Sequence, residues 1–148
     1  MKKFMILVLF LLISTVIYPQ YQNIRRDQFP KISHEYLEKG NFKSRHGEGI
    51  FEKKDGIPEF RVRYKDRSMI IFDRTGHPRK IYMRGSGIPR EMLPPKILKS
   101  LIKRYGLIFN IRSFEIVRFR RKEVYRVRLL GGGELYYSKK YRLIMSRD

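Results

Sequence analysis

The sequence predicts an α+β fold in which two tandem helix-plus-antiparallel-strand repeats form one curved sheet with helices on one face. Three observations predict it. Phe60-Arg61-Val62-Arg63-Tyr64 and Tyr125-Arg126-Val127-Arg128-Leu129 stand 65 positions apart and share an alternation of apolar residues with arginines. Each is followed by a second β-rich segment, and each is preceded by a helical segment introduced by proline. A period of two marks a strand buried on one side only, and self-similarity at a distance marks a repeated unit.

In chain order, a first helix is expected over Lys31 to Lys39, after Phe29-Pro30, with Ile32, Tyr36 and Leu37 as its apolar positions. Proline suits the first helical turn, where its missing N–H has no intrahelical partner to lose. The strand Phe60 to Tyr64 is expected to pair with Met69-Ile70-Ile71-Phe72 through a turn at Lys65-Asp66-Arg67-Ser68. Asp73-Arg74-Thr75-Gly76 turns the chain again toward a strand near Arg79 to Met83, with the aspartate capping its own backbone and the glycine taking a positive φ. Ser86-Gly87-Ile88-Pro89 reads as a hinge, dividing the domain into repeat one at about 24–84, a linker at 85–89 and repeat two at about 90–148.

Leu93-Pro94-Pro95 introduces a helix over Lys96 to Tyr105. Ile97, Leu98, Leu101, Ile102 and Tyr105 form one apolar stripe, Lys96, Lys99, Lys103 and Arg104 stand mostly opposite, and Gly106 occupies the position after the helix that glycine favours. Tyr125 to Leu129 and Glu134-Leu135-Tyr136-Tyr137 form a hairpin around Gly131-Gly132-Gly133, and a further strand is expected near Tyr141 to Met145. The expected core contains Phe60, Val62, Tyr64, Ile70, Phe72, Leu101, Ile102, Tyr125, Val127 and Leu129.

The first residues set the compartment. Lys2 and Lys3 precede an apolar run from Phe4 to Ile13 that continues to Tyr18, the basic and apolar regions of a secretory signal. The run falls short of the roughly 20 apolar residues needed to cross a bilayer. Residues 1–20 are therefore expected to be a signal peptide and 21–148 a single periplasmic or secreted domain. Because no small-x-small triplet stands between Thr15 and Tyr21, the alternative is a retained anchor, the one case in which this segment would hold the chain at a membrane. The absence of cysteine excludes disulfides, thiolate metal sites and lipid attachment at a cysteine.

Lys and Arg number 34 against 14 acidic residues, and removing Lys2 and Lys3 from the net +20 leaves +18 on the exported part. Such charge attracts polyanions and acidic proteins. Arg61 and Arg63 on one strand and Arg126 and Arg128 on its counterpart point away from the apolar face, and Arg118, Arg120, Arg121 and Lys122 cluster just before the second strand. If the halves share a sheet, these residues make a continuous basic face whose planar arginine forks suit carboxylate or phosphate. The alternative is a solvated face whose charges deter edge aggregation. One of Tyr136 and Tyr137 must face away from the core, and Tyr137 is the expected aromatic anchor, with ordinary cross-strand packing as the alternative.

No catalytic, cofactor-binding or metal residue is expected. His34, His46 and His77 lack metal-ligand spacing and read as exposed or loop histidines, and no two carboxylates are set apart for acid/base work. Gly85-Ser86-Gly87 lacks the nucleophile-elbow pattern, and Asp73 to Gly76 lacks the alternating carboxylates of a calcium loop. Nucleic acid is not an expected partner, since tryptophan, the aromatic RNA-binding signature and finger spacings are all missing and the leader removes the chain from the cytoplasm.

Phe60-x-Val62-x-Tyr64, Ile71-Phe72-Asp73-x-x-Gly76, Leu93-Pro94-x-x-Ile97-x-x-x-Leu101-x-x-x-Tyr105 and Tyr125-x-Val127-x-Leu129, taken in order, resemble the PepSY-like proteins related to the β-lactamase-inhibitor fold. These are small exported proteins of bacteria with two membranes. The resemblance covers about Phe29 to the C-terminus. It implies tandem helix-plus-sheet repeats, an uncovered sheet face that grips a partner protein, and a role in restraining proteases or other enzymes without catalytic residues. The expected function is an exported non-catalytic binding module that holds an acidic protein on a basic sheet face. The alternative is a basic envelope protein adhering to anionic lipid or cell-wall polymer.

Overall fold

The computed structural model describes residues 20–148 apart from Pro58, so the signal expected at residues 1–20 lies, except for Gln20, outside the described residues. Nine strands follow one another across a single antiparallel sheet in the order of the sequence. They are β1 (Tyr21–Asn23), β2 (Ile50–Lys54), β3 (Glu59–Arg63), β4 (Met69–Asp73), β5 (Pro78–Tyr82), β6 (Ile111–Phe119), β7 (Lys122–Leu129), β8 (Glu134–Tyr137) and β9 (Leu143–Arg147). Three short helices, α1 (Lys31–Lys39), α2 (Phe42–His46) and α3 (Pro95–Tyr105), interrupt the meander. Among the described residues no helix is long and apolar enough to cross a membrane.

The fold is therefore predominantly β, one open nine-stranded sheet, and the expected α+β arrangement of two helix-plus-strand repeats is overturned. The expected hinge shows the physical reason. Gly87, Ile88 and Pro89 are buried, the Ile88 amide donates to the Ile111 carbonyl at 2.8 Å, and β5 pairs directly with β6 through Lys80↔Glu115, Ile81↔Phe114 and Tyr82↔Ser113. The hydrogen-bonding edges of the two supposed halves are thus satisfied by each other, and the ladder runs through without a seam. β6, the longest strand, joins them.

Period-two alternation sorts the sheet into two faces. Register places Phe51, Val62, Ile70, Ile81, Phe114, Val127 and Leu135 in one cross-strand row. Against this face lie Ser33 and Leu37 of α1, Phe42 of α2 and Ile97 and Leu101 of α3, all buried. Phe29, just before α1, meets Phe51, Phe60 and Phe72 edge-on with centroids 4.9 to 5.6 Å apart. Burying each large side chain of this kind contributes roughly 1.5–3 kcal/mol. Of the expected core, Val62, Tyr64, Ile70, Phe72, Leu101 and Val127 are buried, while Phe60, Ile102, Tyr125 and Leu129 pack partly exposed against it.

Local signals placed α3 well, with Pro95 in its first turn and Gly106 at its end with φ 69°. Asp73 Oδ1 accepts from the Thr75 amide at 2.9 Å and the His77 amide at 3.1 Å, and Gly76 has φ 92°. The Ser33 hydroxyl then donates to the Gly76 carbonyl at 3.0 Å, which ties α1 to the β4–β5 turn.

Gly87 tests the correction directly. It has φ 80°, and a Cβ placed on it would stand 2.7 Å from the Ile111 carbonyl oxygen. Gly87→Ala is expected to cost about 1–3 kcal/mol in urea unfolding; a flexible hinge between two repeats would show no change.

Candidate partner-binding face

One residue along each strand from the core row, register aligns Glu52, Arg61, Ile71, Lys80, Glu115, Arg126, Tyr136 and Met145 on the opposite face. Two residues further, Ile50, Arg63, Met69, Tyr82, Ser113, Arg128, Glu134 and Arg147 form a second row on the same side. The helices occupy the other side, so this face is uncovered. Its chemistry is a lattice of cross-strand ion pairs with apolar and aromatic residues between them.

Glu52 sits at its centre of gravity on the β2–β3 side. Its side chain is only 5% exposed and accepts from Arg61 Nε at 2.6 Å and Arg63 Nη2 at 3.3 Å. Burial alone would raise the Glu52 pKa, but the two arginines outweigh it and hold the carboxyl below its ordinary value. The Arg61 guanidinium lies 3.6 Å from the centroid of the Tyr21 ring, so β1 clamps the pair from outside.

Glu115 forms the second node, 9% exposed, accepting from Arg126 Nε at 3.1 Å and Nη2 at 2.6 Å with Lys80 Nζ 3.7 Å away. At the third, Glu134 accepts from Tyr136 Oη at 2.8 Å and Arg128 Nε at 2.7 Å, and these hydrogen bonds lower its pKa. Tyr136 also meets the Phe119 ring at 5.7 Å.

The structure thus brings Arg61, Arg63, Arg126 and Arg128 to one face, but as two pairs on β3 and β7, four strands and about 19 Å apart. The expected continuous basic surface is interrupted by Glu52, Glu115 and Glu134. Arg118 and Arg120 are not on this face: Arg118 alternates with Val117 and Phe119 to the opposite side of β6, and Arg120 lies in the β6–β7 turn. Tyr137 is corrected outright. It is fully buried and its hydroxyl donates to Ser100 Oγ of α3 at 3.2 Å, because parity in β8 sends Tyr137 under the helix and Tyr136 to the uncovered side.

Sequence reasoning missed the three glutamates. The signal was present: Ser113, Glu115 and Val117 alternate with Phe114 and Ile116, and a glutamate within a strand opposite an arginine is a cross-strand pair in waiting. His77 is an exposed turn histidine as expected, whereas His34 and His46 differ. The His46 side chain is 3% exposed with Nδ1 2.7 Å from Asp66 Oδ2, and His34 Nε2 lies 2.8 Å from the Arg26 carbonyl, so both pin loops to the core. A cleft of about 260 Å³ beside α2, bordered by Arg26, Glu38, Lys43, Glu48 and Tyr64, lies on the helical side.

The fold resembles three solved bacterial proteins. One, from Bacteroides vulgatus and described as a periplasmic protein of the DUF2874 family, superposes with TM-score 0.70 and 17% identity over 87% of this chain and 98% of its own. A second, from Bacteroides thetaiotaomicron and described as a calcium-regulated periplasmic protein, gives TM-score 0.69 and 18% identity over 86% of this chain and 97% of its own. A third, a Bacteroides vulgatus periplasmic protein described as of unknown function, gives 0.65 and 18% over 87% and 100%. No protein-family model matches the chain, and no curated protein matches it. The likeness defines a shared single-sheet fold. Among the described residues no three His, Cys, Asp or Glu side chains gather to hold a metal, and Asp73 is engaged by its own turn.

The lattice has a pH signature. A carboxylate whose folded pKa is depressed stabilises the fold above its ordinary value, and the contribution disappears as pH falls through the folded value. Urea unfolding of wild type is expected to weaken as pH drops below about 4.5, the ordinary value for glutamate. Glu52→Gln should lose about 1–3 kcal/mol at pH 7 and show a flatter acid limb; an unchanged acid limb would show that Glu52 is not held by its arginines.

Proposed function

We propose that the chain is an exported, non-catalytic binding module, similar to PepSY-like proteins, that holds an acidic patch of a protein partner on its uncovered sheet face and thereby restrains that partner. The observation that carries this reading is the state of Arg63 and Arg128. Each donates one hydrogen bond to a glutamate of the lattice, and their side chains remain 47% and 42% exposed. A guanidinium has five N–H donors, so the lattice fixes each fork while leaving donors directed at solvent. Pre-set arginines beside half-buried Tyr82, Ile71 and Met69 combine residue types that recur in binding hot spots with low ordering cost on association.

Export is supported by the basic and apolar leader and by the periplasmic description of the three structural neighbours. The structure also changes which arginines should be altered. Arg126 neutralises buried Glu115, so replacing it would disturb the fold as well as the face. Arg63→Gln with Arg128→Gln leaves that node intact.

Affinity capture from an envelope extract, with residues 20–148 as bait at low and high salt, is expected to retain one stoichiometric protein. The purified partner should bind the double glutamine variant at least about tenfold more weakly and recover its own activity. Unchanged affinity in that variant would overturn the use of this face.

A further inference from the structure

Seven basic residues outside the lattice, Arg118, Arg120, Arg121, Lys122, Lys139, Lys140 and Arg142, are gathered at one end of the sheet. Phe119 pairs with Lys122, so Arg120 and Arg121 are the two residues of the β6–β7 turn. Both adopt left-handed backbone, φ 46° and 65°. Two-residue turns of this hand favour Asn-Gly, which reach positive φ at little cost. Here two exposed arginines occupy them, with exposed Arg118 and Lys122 on the adjoining strand ends.

The loop after β8 lies beside this hairpin, because Tyr125 pairs with Tyr137. It carries exposed Lys139, Lys140 and Arg142. The acid nearest the tip, Glu123, is engaged by Arg79 at 2.8 Å and Lys139 at 3.1 Å, so it offsets Lys139 and, among the described residues, leaves Arg120, Arg121, Lys122, Lys140 and Arg142 without an ion-pair partner. The guanidinium of Arg120 lies 5.4 Å from the ring centroid of half-buried Phe119.

We propose that this end of the sheet, Arg118 to Lys122 with Lys139, Lys140 and Arg142, docks on the phosphate headgroups of an anionic bilayer leaflet. The cations stand on two neighbouring loops at the sheet end, where they project outward instead of lining a cleft, and this suits an extended plane of charge. Arginine forks match phosphate oxygens, and basic residues near an anionic surface add their attractions, subject to screening by salt. Phe119 provides an apolar contact at headgroup depth. A protein partner would need a broader complementary area than a hairpin tip offers. Apart from Phe119 and Lys122, which stand at the edge of the uncovered face, the site lies outside it, and neither assignment rests on the other.

The test uses residues 20–148, which contain all nine strands and the whole described core, and vesicles of phosphatidylcholine with or without about one-third phosphatidylglycerol in about 0.1 M salt. Sedimentation should show binding to the anionic vesicles and none to the neutral ones. Arg120→Asn with Arg121→Gly fits the turn better, so it should raise the urea midpoint while weakening vesicle binding at least about fivefold. Lys96→Glu with Lys99→Glu, a larger charge change on α3, should weaken it less than about twofold if the tip is the contact. Absence of binding to the anionic vesicles would overturn the proposal. So would an α3 variant that loses as much as the tip variant, since net charge alone would then account for adhesion.

Discussion

A nine-stranded antiparallel sheet accompanied by three short helices can cover only one of its faces, and the other must be compatible with water along its width. This constraint organises the rest of the molecule. On the covered side the chain meets it in the ordinary way, with Val62, Ile70, Ile81, Phe114 and Val127 beneath apolar helical stripes. On the uncovered side, an all-apolar surface would invite aggregation and an all-arginine surface would repel itself. The sequence instead sets glutamates across from arginines, so that Arg61, Arg63, Lys80, Arg126 and Arg128 are each held by a glutamate on the next strand.

The consequences run from energetics to function. Removing water from Glu52 and Glu115 carries a desolvation penalty that only close, multiple hydrogen bonds offset, and each has two cationic neighbours. The pairs rigidify arginine side chains that would otherwise be ordered only on binding a partner. Exposed cations outside the pairs stand elsewhere, on α3 at Lys96, Lys99, Lys103 and Arg104 and at the β6–β7 tip with the loop after β8. A chain with net charge +20 thus presents a face of paired charges and a cationic end, two surfaces of different character on one sheet.

Local physics made several elements legible in the sequence. Prolines and the apolar stripe located α3, the Asp73–Gly76 turn was readable from side-chain chemistry, and alternation found β3, β7 and most of β8. Architecture was harder, because the ladder between β5 and β6 joins residues more than thirty positions apart with no local marker. Gly87-Ile88-Pro89 has the composition of a linker and is buried all the same, since tertiary hydrogen bonding to Ile111 overrides composition. The site was half legible. Parity correctly placed Arg61, Arg63, Arg126 and Arg128 on one face, but the acids that neutralise them lie on β2, β6 and β8, and a pairing across strands shows only once register is known. Tyr137 failed for a related reason: parity requires that one of two adjacent tyrosines turn outward and does not say which.

The central claim is that cross-strand ion pairs hold the uncovered face in order. A double-mutant cycle between Glu115 and Arg126, with Glu115→Gln, Arg126→Gln and the double variant compared by urea unfolding at pH 7, measures it most directly. The lattice predicts a coupling energy of about 1.5–3 kcal/mol, with the double variant recovering much of the stability lost in Glu115→Gln or Arg126→Gln alone. A coupling below about 0.5 kcal/mol, with simply additive losses, would contradict it and leave the face as a set of solvated charges.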